Sequence, residues 1–194
     1  MPSEQSRQPK SAKRPEPGEQ PVRLEHLAGS RLVATPDDME AFGRELGALL
    51  RPGDLVALNG PLGAGKTTLT RGIGDALGVR GPVTSPTFVL ARTHPSLVGG
   101  PPLVHVDAYR LGSALELDDL DIDFARSVVV VEWGAGMLDG VTESWLGVAI
   151  DRPSGVDAGA AGDTADEASA PAAALDAPEP RTITLTGYGP RWVA

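Results

Sequence analysis

The sequence predicts an α/β fold, in which a sheet of apolar strands carries helices on both faces and ends in a C-terminal antiparallel hairpin. Short apolar segments of strand length alternate with segments of helical periodicity, a pattern that is typical of such sheets. A glycine-rich segment, "NGPLGAGKTT" at residues 59–68, lies between one of these strands and a helix. The last two strand candidates alternate apolar and polar residues, which indicates a half-exposed antiparallel pair.

The first predicted helix lies within "TPDDMEAFGRELGALLRPG", residues 35–53. Thr35 can cap it, Pro36 suits its first turn, and the Pro-Gly pair at 52–53 ends it. Its apolar face consists of Phe42, Leu46, Leu49 and Leu50. A second helix is predicted after the glycine-rich segment, from about residue 66 to residue 77.

The remaining predicted elements are shorter. Six segments are expected to be strands: 54–58, 88–92, 103–107, 128–132, 145–150 and 182–187. Short helical patterns are present in "SALELDDL" at 113–120 and "GAGMLDG" at 134–140. The last two strands would form the hairpin, and the chain between them would be its expanded turn.

A single domain is predicted over residues 22–194, because a chain of 194 residues suffices for one core and not for two large ones. Residues 1–21 are predicted to be a disordered, basic, Pro-rich tail. Residues 153–180 carry six carboxylates and almost no large apolar side chain, so burial cannot offset their ordering entropy. We predict a disordered acidic insert there, which accounts for most of the net charge of −9.

Composition excludes several classes of protein. The chain has no cysteine, which excludes disulfide bonds and thiolate metal ligands and is consistent with a reducing compartment. The N-terminal tail lacks the apolar core of a secretory signal, and no apolar run is long enough to span a bilayer. We therefore expect a cytoplasmic protein with no membrane partner.

The segment "GPLGAGKT" at residues 60–67 matches the phosphate-binding loop G-x-x-x-x-G-K-T at every fixed position. Glycines let successive backbone N–H groups turn toward an anion, and the following helix directs its positive end to the same point. Lys66 would reach the β and γ phosphates, and the Thr67 hydroxyl would coordinate Mg²⁺. The alternative is a Gly-rich turn that happens to contain lysine. The segment predicts a P-loop NTPase-like site, whose nucleotide contacts would be Pro61, Leu62, Gly63, Ala64, Gly65, Lys66, Thr67 and Thr68.

Two acids are candidates to complete a metal site. Asp107 and Glu132 each end an apolar strand, and open α/β sheets bind ligands at the carboxyl ends of their strands. One carboxylate can hold Mg²⁺ and a second can polarise the attacking water. Alternatively, either acid caps its strand or pairs with Arg110. His105 points to the same face of the sheet as Asp107. A buried packing residue and a functional residue are both consistent with that position.

The segment "TSPTF" at 84–88 follows the P-loop helix and places hydroxyls on both sides of a proline. In P-loop switches a threonine at this position can sense the γ-phosphate. An ordinary turn accounts for the same residues. Both interpretations remain open from the residues alone.

Four segments in this order, "GPLGAGKTT", "VTSPTF", "HVDAYRL" and "VEWG", resemble the TsaE (YjeE) family. Its members are small bacterial ATPases that are needed for threonylcarbamoyl modification of the adenosine beside the tRNA anticodon. The resemblance covers roughly residues 30–150 and the final strand. It implies ATP and Mg²⁺ as cofactors and weak intrinsic hydrolysis. It also implies action with the TsaD and TsaB proteins, through which tRNA would be contacted only indirectly.

The same resemblance assigns roles to residues. Residues 61–66 would cradle the phosphates, and Thr67 and Glu132 would be Mg²⁺ ligands with Asp107 close to the metal. Lys66, Asp107 and Glu132 would form the catalytic set. Ser85 and Thr87 would lie in the switch-like loop, and Trp133 beside the acid.

The chain departs from the family pattern at three places. Pro61 stands where the family usually has Asp; this loses one N–H at an early loop position that is not a critical phosphate donor, so binding is expected to survive. Met39 stands where a threonine often lies near the expected base pocket, which puts the adenine contacts there in doubt. The insert at 153–180 is not a common family feature, and no function is assigned to it.

Rival functions use the same loop. A small-molecule kinase would also need an acceptor pocket and a lid with arginines. The only arginines in the sequence from 83 to 133 are Arg92, Arg110 and Arg126, too few to indicate such a lid. A GTPase would need an Asn-Lys-x-Asp segment, which is absent from the sequence. A non-catalytic nucleotide-binding scaffold remains an alternative. Direct tRNA binding is expected to be weak, because the body of the domain is mildly acidic and has no basic stripe.

Overall fold

The computed structural model describes residues 29–86, 89–113, 116–117, 119–134, 136, 138, 141–152 and 179–192. These residues form a seven-stranded sheet in the order β1-β7-β6-β2-β5-β4-β3. The strands are β1 Gly29–Val33, β2 Leu55–Asn59, β3 Ala91–His94, β4 Leu103–Asp107, β5 Val128–Glu132, β6 Trp145–Asp151 and β7 Arg181–Tyr188. The two α-helices within the described ranges are α1 Pro36–Gly47 and α2 Lys66–Ala76.

The centre of the sheet is parallel and its margins are antiparallel. β2 pairs in parallel with β5 and with β6, and β4 pairs in parallel with β5. β3, β7 and β1 are added antiparallel. The α/β prediction is confirmed, including the hairpin in which Ile150 of β6 pairs with Ile183 of β7.

The predicted set of strands needs two corrections, one misplaced strand and one missing strand. The strand expected at 88–92 is wrong in its position, because Leu90 has a left-handed backbone with φ 64 and the extended chain of β3 begins only at Ala91. β1 was not predicted, because its GSRLV segment is short and mostly exposed. β1 is ordered by pairing with β7, which is distant in sequence. The other predicted strands agree with β2, β4, β5, β6 and β7 to within one residue at each end.

Helix α1 begins as its capping residues predict. The Thr35 hydroxyl accepts a hydrogen bond from the Asp38 backbone N–H at 3.1 Å, and the Asp38 carboxylate accepts one from the Thr35 backbone N–H at 3.1 Å. This capping box satisfies two N–H groups that the helix itself cannot pair. Of the predicted apolar face, Phe42 and Leu46 are buried on the helix, as is Met39. The helix ends at Gly47, before the predicted Pro-Gly stop, so Leu49 and Leu50 lie beyond it and Leu49 is exposed.

The core lies on both faces of the sheet. On one, the helical face, α1 and α2 cover alternate residues of the central strands, such as Val56 and Val130. On the opposite face a 3₁₀ turn at Ala108–Arg110 and the chain after it cover Val129 and Val131. In that covering chain the described residues Glu116 and Leu117 are helical.

Helices α1 and α2 approach each other closely through glycines. A Cβ on Gly43 would lie 2.3 Å from the Leu69 carbonyl oxygen, and one on Gly72 would lie 2.1 Å from the Glu40 carbonyl oxygen. No larger side chain fits at such separations. The glycines therefore set the position of α2, and with it the position of the loop that precedes α2.

The chain after β7 is tied to the start of β2. Arg191 forms an ion pair with Asp54, Nε to Oδ1, at 3.0 Å; the Asp54 carboxylate is buried and the Arg191 side chain is 9% exposed. The adjacent Trp192 is 1% exposed and packs into the helical-face core. Neither residue gives a signal in the sequence, because their partners are distant in the chain.

The predicted N-terminal tail at 1–21 and nearly all of the insert at 153–180 lie outside the described residues, as does part of the helical pattern at 134–140. Neither α-helix of the described ranges has the length and hydropathy needed to cross a bilayer.

Candidate nucleotide-binding site

The glycine-rich segment forms the connection between β2 and α2. Gly65, the residue before α2, has φ 107, a left-handed conformation that favours glycine. At Gly60 a Cβ would lie 2.5 Å from the Ile150 carbonyl oxygen, so no larger residue fits there. The loop thus begins and ends at positions that require glycine, and α2 starts at the lysine with its unpaired N–H groups toward the loop.

Lys66 is buried at the first position of α2. Its Nζ donates hydrogen bonds to the carbonyl oxygens of Gly60 at 2.9 Å and Pro61 at 3.1 Å. The same amine lies 3.8 Å from the centroid of the Trp133 ring, a cation–π contact. Burial lowers the pKa of Lys66, and the charges of Glu132 and Asp107 offset part of this effect.

Thr67 is connected directly to the acid at the end of β5. Its Oγ1 donates a hydrogen bond to Oε1 of Glu132 at 3.0 Å, and Nε2 of His105 lies 2.8 Å from the same oxygen. Burial alone would raise the pKa of Glu132, but interactions with His105, Thr67 and Lys66 lower it below its ordinary value. The carboxylate is therefore held ionised beside the P-loop threonine.

Asp107 lies beside Glu132 at the same edge of the sheet. The two residues are register partners in the parallel β4–β5 pair. Asp107 is 5% exposed and accepts a hydrogen bond from the Tyr109 backbone N–H at 3.0 Å. The structure thus brings together both acids that the strand ends indicated.

Trp133 has an unusual backbone. Its φ of 64 is left-handed, which is rare for a large side chain and concentrates at functional sites. The indole contacts Lys66 and lies 5.5 Å, centroid to centroid, from the Tyr109 ring in an edge-to-face arrangement. Trp133 follows Glu132 directly, and its ring forms part of the wall of the site.

These groups surround one open cavity of about 650 Å³, a size typical of small-molecule and cofactor sites. Among the described residues its polar lining comes from both acids, the lysine and several hydroxyls. The lining residues are Leu62, Gly63, Ala64, Gly65, Lys66, Thr67, Thr68, Ser85, Asp107, Tyr109, Glu132 and Trp133.

A smaller cavity of about 130 Å³ adjoins the first and shares Gly63, Ala64, Gly65 and Thr68 with it. Buried Met39 forms one wall, and Arg181 at the start of β7 contributes another. The helix start at Thr35 completes the lining together with Ala34, Pro36 and Glu179. Met39 therefore lies beside the loop, where the sequence suggested a base pocket.

Comparison with known proteins identifies the family. The model of "Threonylcarbamoyl adenosine biosynthesis protein TsaE" matches residues 33–156. The chain belongs to the TsaE family. It is 57% identical over 157 residues, 79% of this chain and 93% of the relative, to the tRNA threonylcarbamoyladenosine biosynthesis protein TsaE of Streptomyces coelicolor. It is 35% identical over 123 residues, 62% of this chain and 75% of the relative, to the protein of that name from Bacillus subtilis.

A solved structure supports the fold. The crystal structure of Bacillus subtilis YdiB superposes with a TM-score of 0.59 at 29% identity, covering 84% of this chain and 88% of that chain. TsaE membership places the chain in tRNA threonylcarbamoyladenosine biosynthesis. It also confirms the resemblance that the four sequence segments indicated.

The switch-like loop of this TsaE-family chain is only partly described. Ser85 lines the large cavity, whereas Thr87 lies outside the described residues. Thr84 accepts a hydrogen bond at 2.7 Å from Arg92 of β3. The loop is therefore tied to the edge of the sheet, and its sensing role remains a prediction.

Three residues at the site were predicted incompletely or not at all from the sequence. Pro61 contributes its carbonyl oxygen to Lys66 and is not among the described residues that line the cavity. Tyr109 lines the cavity but was not predicted, although its place two residues after Asp107 was a usable signal. The contact of His105 with Glu132 could not be read from spacing, because it depends on the register of β4 and β5.

Proposed function

We propose that this chain binds Mg²⁺-ATP in the large cavity and hydrolyses it slowly, in support of turnover of the TsaD–TsaB complex in tRNA modification. Contact with tRNA would be indirect, through that complex, and the setting would be the cytoplasm. The observation that supports the proposal most directly is the convergence of Lys66, Thr67 and Glu132 on one cavity at the start of α2. Phosphate-binding loops use this combination of cation, hydroxyl and carboxylate.

Each group has a defined task in this proposal. The loop amides and the N-terminus of α2 bind the phosphates, and Lys66 exchanges its two carbonyl partners for phosphate oxygens. The Thr67 hydroxyl and the Glu132 carboxylate fit Mg²⁺, which prefers oxygen ligands and when bound offsets phosphate charge. Asp107 would act as a second carboxylate and orient water.

Slow hydrolysis follows from the charges around the cavity. Among the described lining residues Lys66 is the one cation, and no arginine lines the cavity there. An arginine that neutralises the transferred phosphoryl group accelerates such reactions by about 10³–10⁵-fold. We therefore propose that a partner completes or orders the site, which would make full turnover depend on the partner.

The test measures ATP turnover by the purified chain alone and then with TsaB, TsaD and tRNA added. We expect a low basal rate that rises with the partners. A nucleotide-binding scaffold would show binding without turnover in both cases, and a small-molecule kinase would transfer phosphate to an acceptor without a protein partner. Either result would contradict the proposal.

Lys66→Ala tests the role of the lysine, because it removes the cation from the cavity. We expect loss of ATP affinity and turnover without unfolding of the protein, because the hydrogen bonds of the lysine in the free protein go to two loop carbonyl oxygens and its ring contact is with Trp133 at the wall of the cavity. Arg44→Ala removes an exposed cation from α1, paired with Asp75 at 3.8 Å, and should leave both properties unchanged. Unaltered turnover in Lys66→Ala would remove the phosphate-loop assignment.

A further inference from the structure

His105 is a buried histidine that the proposed function leaves without a role. It lies in the middle of β4, is 0% exposed, and its Nε2 is 2.8 Å from Oε1 of Glu132. We propose that His105 is a positioning residue, whose Nε2–H fixes the Glu132 carboxylate for the metal. The inference rests on the proposed binding of Mg²⁺-nucleotide in the large cavity.

Sheet register explains why the two side chains meet. His105 pairs with Val130 in the parallel β4–β5 ladder, and Glu132 follows two residues later on the same face of β5. The contact is thus built from two adjacent parallel strands and not from a loop. Side chains on adjacent strands of a packed sheet have little freedom, so the imidazole can hold the carboxylate in one orientation.

The hydrogen-bond pattern favours positioning of one carboxylate oxygen. An ionised carboxylate only accepts hydrogen bonds, so the proton between the two residues is on Nε2 of His105. That donor and the Thr67 hydroxyl both reach Oε1 of Glu132, and no described residue donates to Oε2. The two contacts at Oε1 therefore fix the orientation of the carboxylate, and Oε2 accepts no hydrogen bond from the described residues.

Packing alone does not explain a histidine at this position. Nδ1 of His105 has no hydrogen-bond partner among the described residues, although it is buried. A polar ring with an unsatisfied atom is a poor filler for the core, where leucine or valine would pack without this cost. Partners that orient a metal-binding side chain are a recurrent reason to retain such a group.

A second buried histidine provides a matched control. His94 of β3 pairs with Leu103 of β4, and its neighbour Arg92 pairs with His105, so both imidazoles face the same side of the sheet. His94 is 5% exposed and its Nε2 also has no partner among the described residues. His94 makes no hydrogen bond to Glu132 in the described part of the chain. Its replacement tests the loss of a buried imidazole without loss of the carboxylate contact.

The experiment compares wild-type protein with His105→Leu, His105→Gln and His94→Leu. Calorimetry gives the affinity for a non-hydrolysable ATP analogue, once with Mg²⁺ and once with EDTA. We expect His105→Leu to keep its affinity in EDTA and to lose about 10–100-fold of the gain from Mg²⁺. His105→Gln keeps an N–H donor at similar reach and should recover most of that gain, and His94→Leu should match wild type.

The possible failures are distinguishable. Wild-type protein that does not bind the analogue, or gains nothing from Mg²⁺, overturns the proposed function and this inference with it. A normal Mg²⁺ response in His105→Leu overturns this inference alone, as does an equal deficit in His105→Gln and His105→Leu.

A measurement on wild-type protein covers the case in which His105→Leu does not fold. Protein labelled with ¹⁵N-histidine should show a downfield Nε2–H proton that is protected from exchange and disappears in His105→Gln. Absence of that proton, with Nδ1 protonated instead, would overturn the proposal.

Discussion

Glu132 illustrates how neighbouring residues set the charge of one buried group. Burial opposes its ionisation, but the contacts with His105, Thr67 and Lys66 lower its pKa below the ordinary value. A carboxyl group whose pKa is lower in the folded state stabilises the fold above its unfolded-state pKa. That contribution is lost as the pH falls through the lowered pKa.

Glu132→Gln should therefore change the pH dependence of stability. We expect wild-type protein to be more stable than the variant at neutral pH, with a difference that decreases as the pH drops through and below the ordinary range of glutamate. Denaturant unfolding at several pH values between neutrality and acid gives the comparison. A difference that grows on acidification would show that the pKa of Glu132 is raised in the folded protein.

For single residues, the sequence predicts which side chains lie close together but not the contacts that they form. The loop pattern and the two strand ends indicated Lys66, Glu132 and Asp107, and these three residues line one cavity. The stacking of Lys66 on Trp133 depends on a left-handed backbone at Trp133, for which neither residue type nor spacing gives a signal. Such details require the register of strands that are distant in sequence.

At the scale of elements, the contact between α1 and α2 links the core to the site. Gly43 and Gly72 allow the two helix backbones to touch, and α2 begins at the P-loop lysine. A change in the separation of the helices would thus tilt α2 and move the loop that precedes it. We therefore expect stability and nucleotide affinity to be coupled through this contact.

Gly72→Ala tests this coupling. The added methyl group would lie 2.1 Å from the Glu40 carbonyl oxygen, so the helices must separate at a cost of about 1–3 kcal/mol. We expect a lower unfolding midpoint together with weaker ATP binding. Gly100→Ala is the matched control, because its methyl group would meet nothing closer than 3.5 Å. Normal ATP affinity in a destabilised Gly72→Ala protein would separate the two properties.

The elements themselves were predictable to different degrees. Helix α1 has its capping residues and apolar face within a single segment of sequence, so its start could be located. β1 and β3 are marginal strands: β1 is ordered by β7 and β3 by β4, and both partners lie elsewhere in the chain. Local propensity alone does not encode such pairings.

At the scale of the whole molecule, the ends of the described chain are held together. β1 pairs with β7 as an edge strand of the sheet. After β7, Arg191 contacts Asp54 just before β2. Arg191 also donates a hydrogen bond to the Leu49 carbonyl oxygen at 3.2 Å. Trp192 is thereby held in the core beneath the helices.

Arg191→Met should destabilise the whole domain. It leaves the buried Asp54 carboxylate without its cation, and breaking such a pair costs about 3–5 kcal/mol. The unfolding midpoint in denaturant should fall accordingly. Arg152→Met is the matched control, since Arg152 pairs with Glu179 at the exposed surface and its removal should leave the midpoint unchanged. Equal effects of the two variants would show that burial does not govern the strength of this pair.

The distribution of charge leads to a prediction about tRNA. The chain has a net charge of −9, and a polyanion binds proteins mainly through clustered cations that release its counterions. Several arginines of the described chain are already paired with carboxylates: Arg31, Arg44, Arg126, Arg152 and Arg191. We expect fluorescently labelled tRNA to show no submicromolar binding to the purified chain at low salt. A tight complex that weakens steeply as salt is added would instead show that cations on this chain contact the phosphate backbone directly.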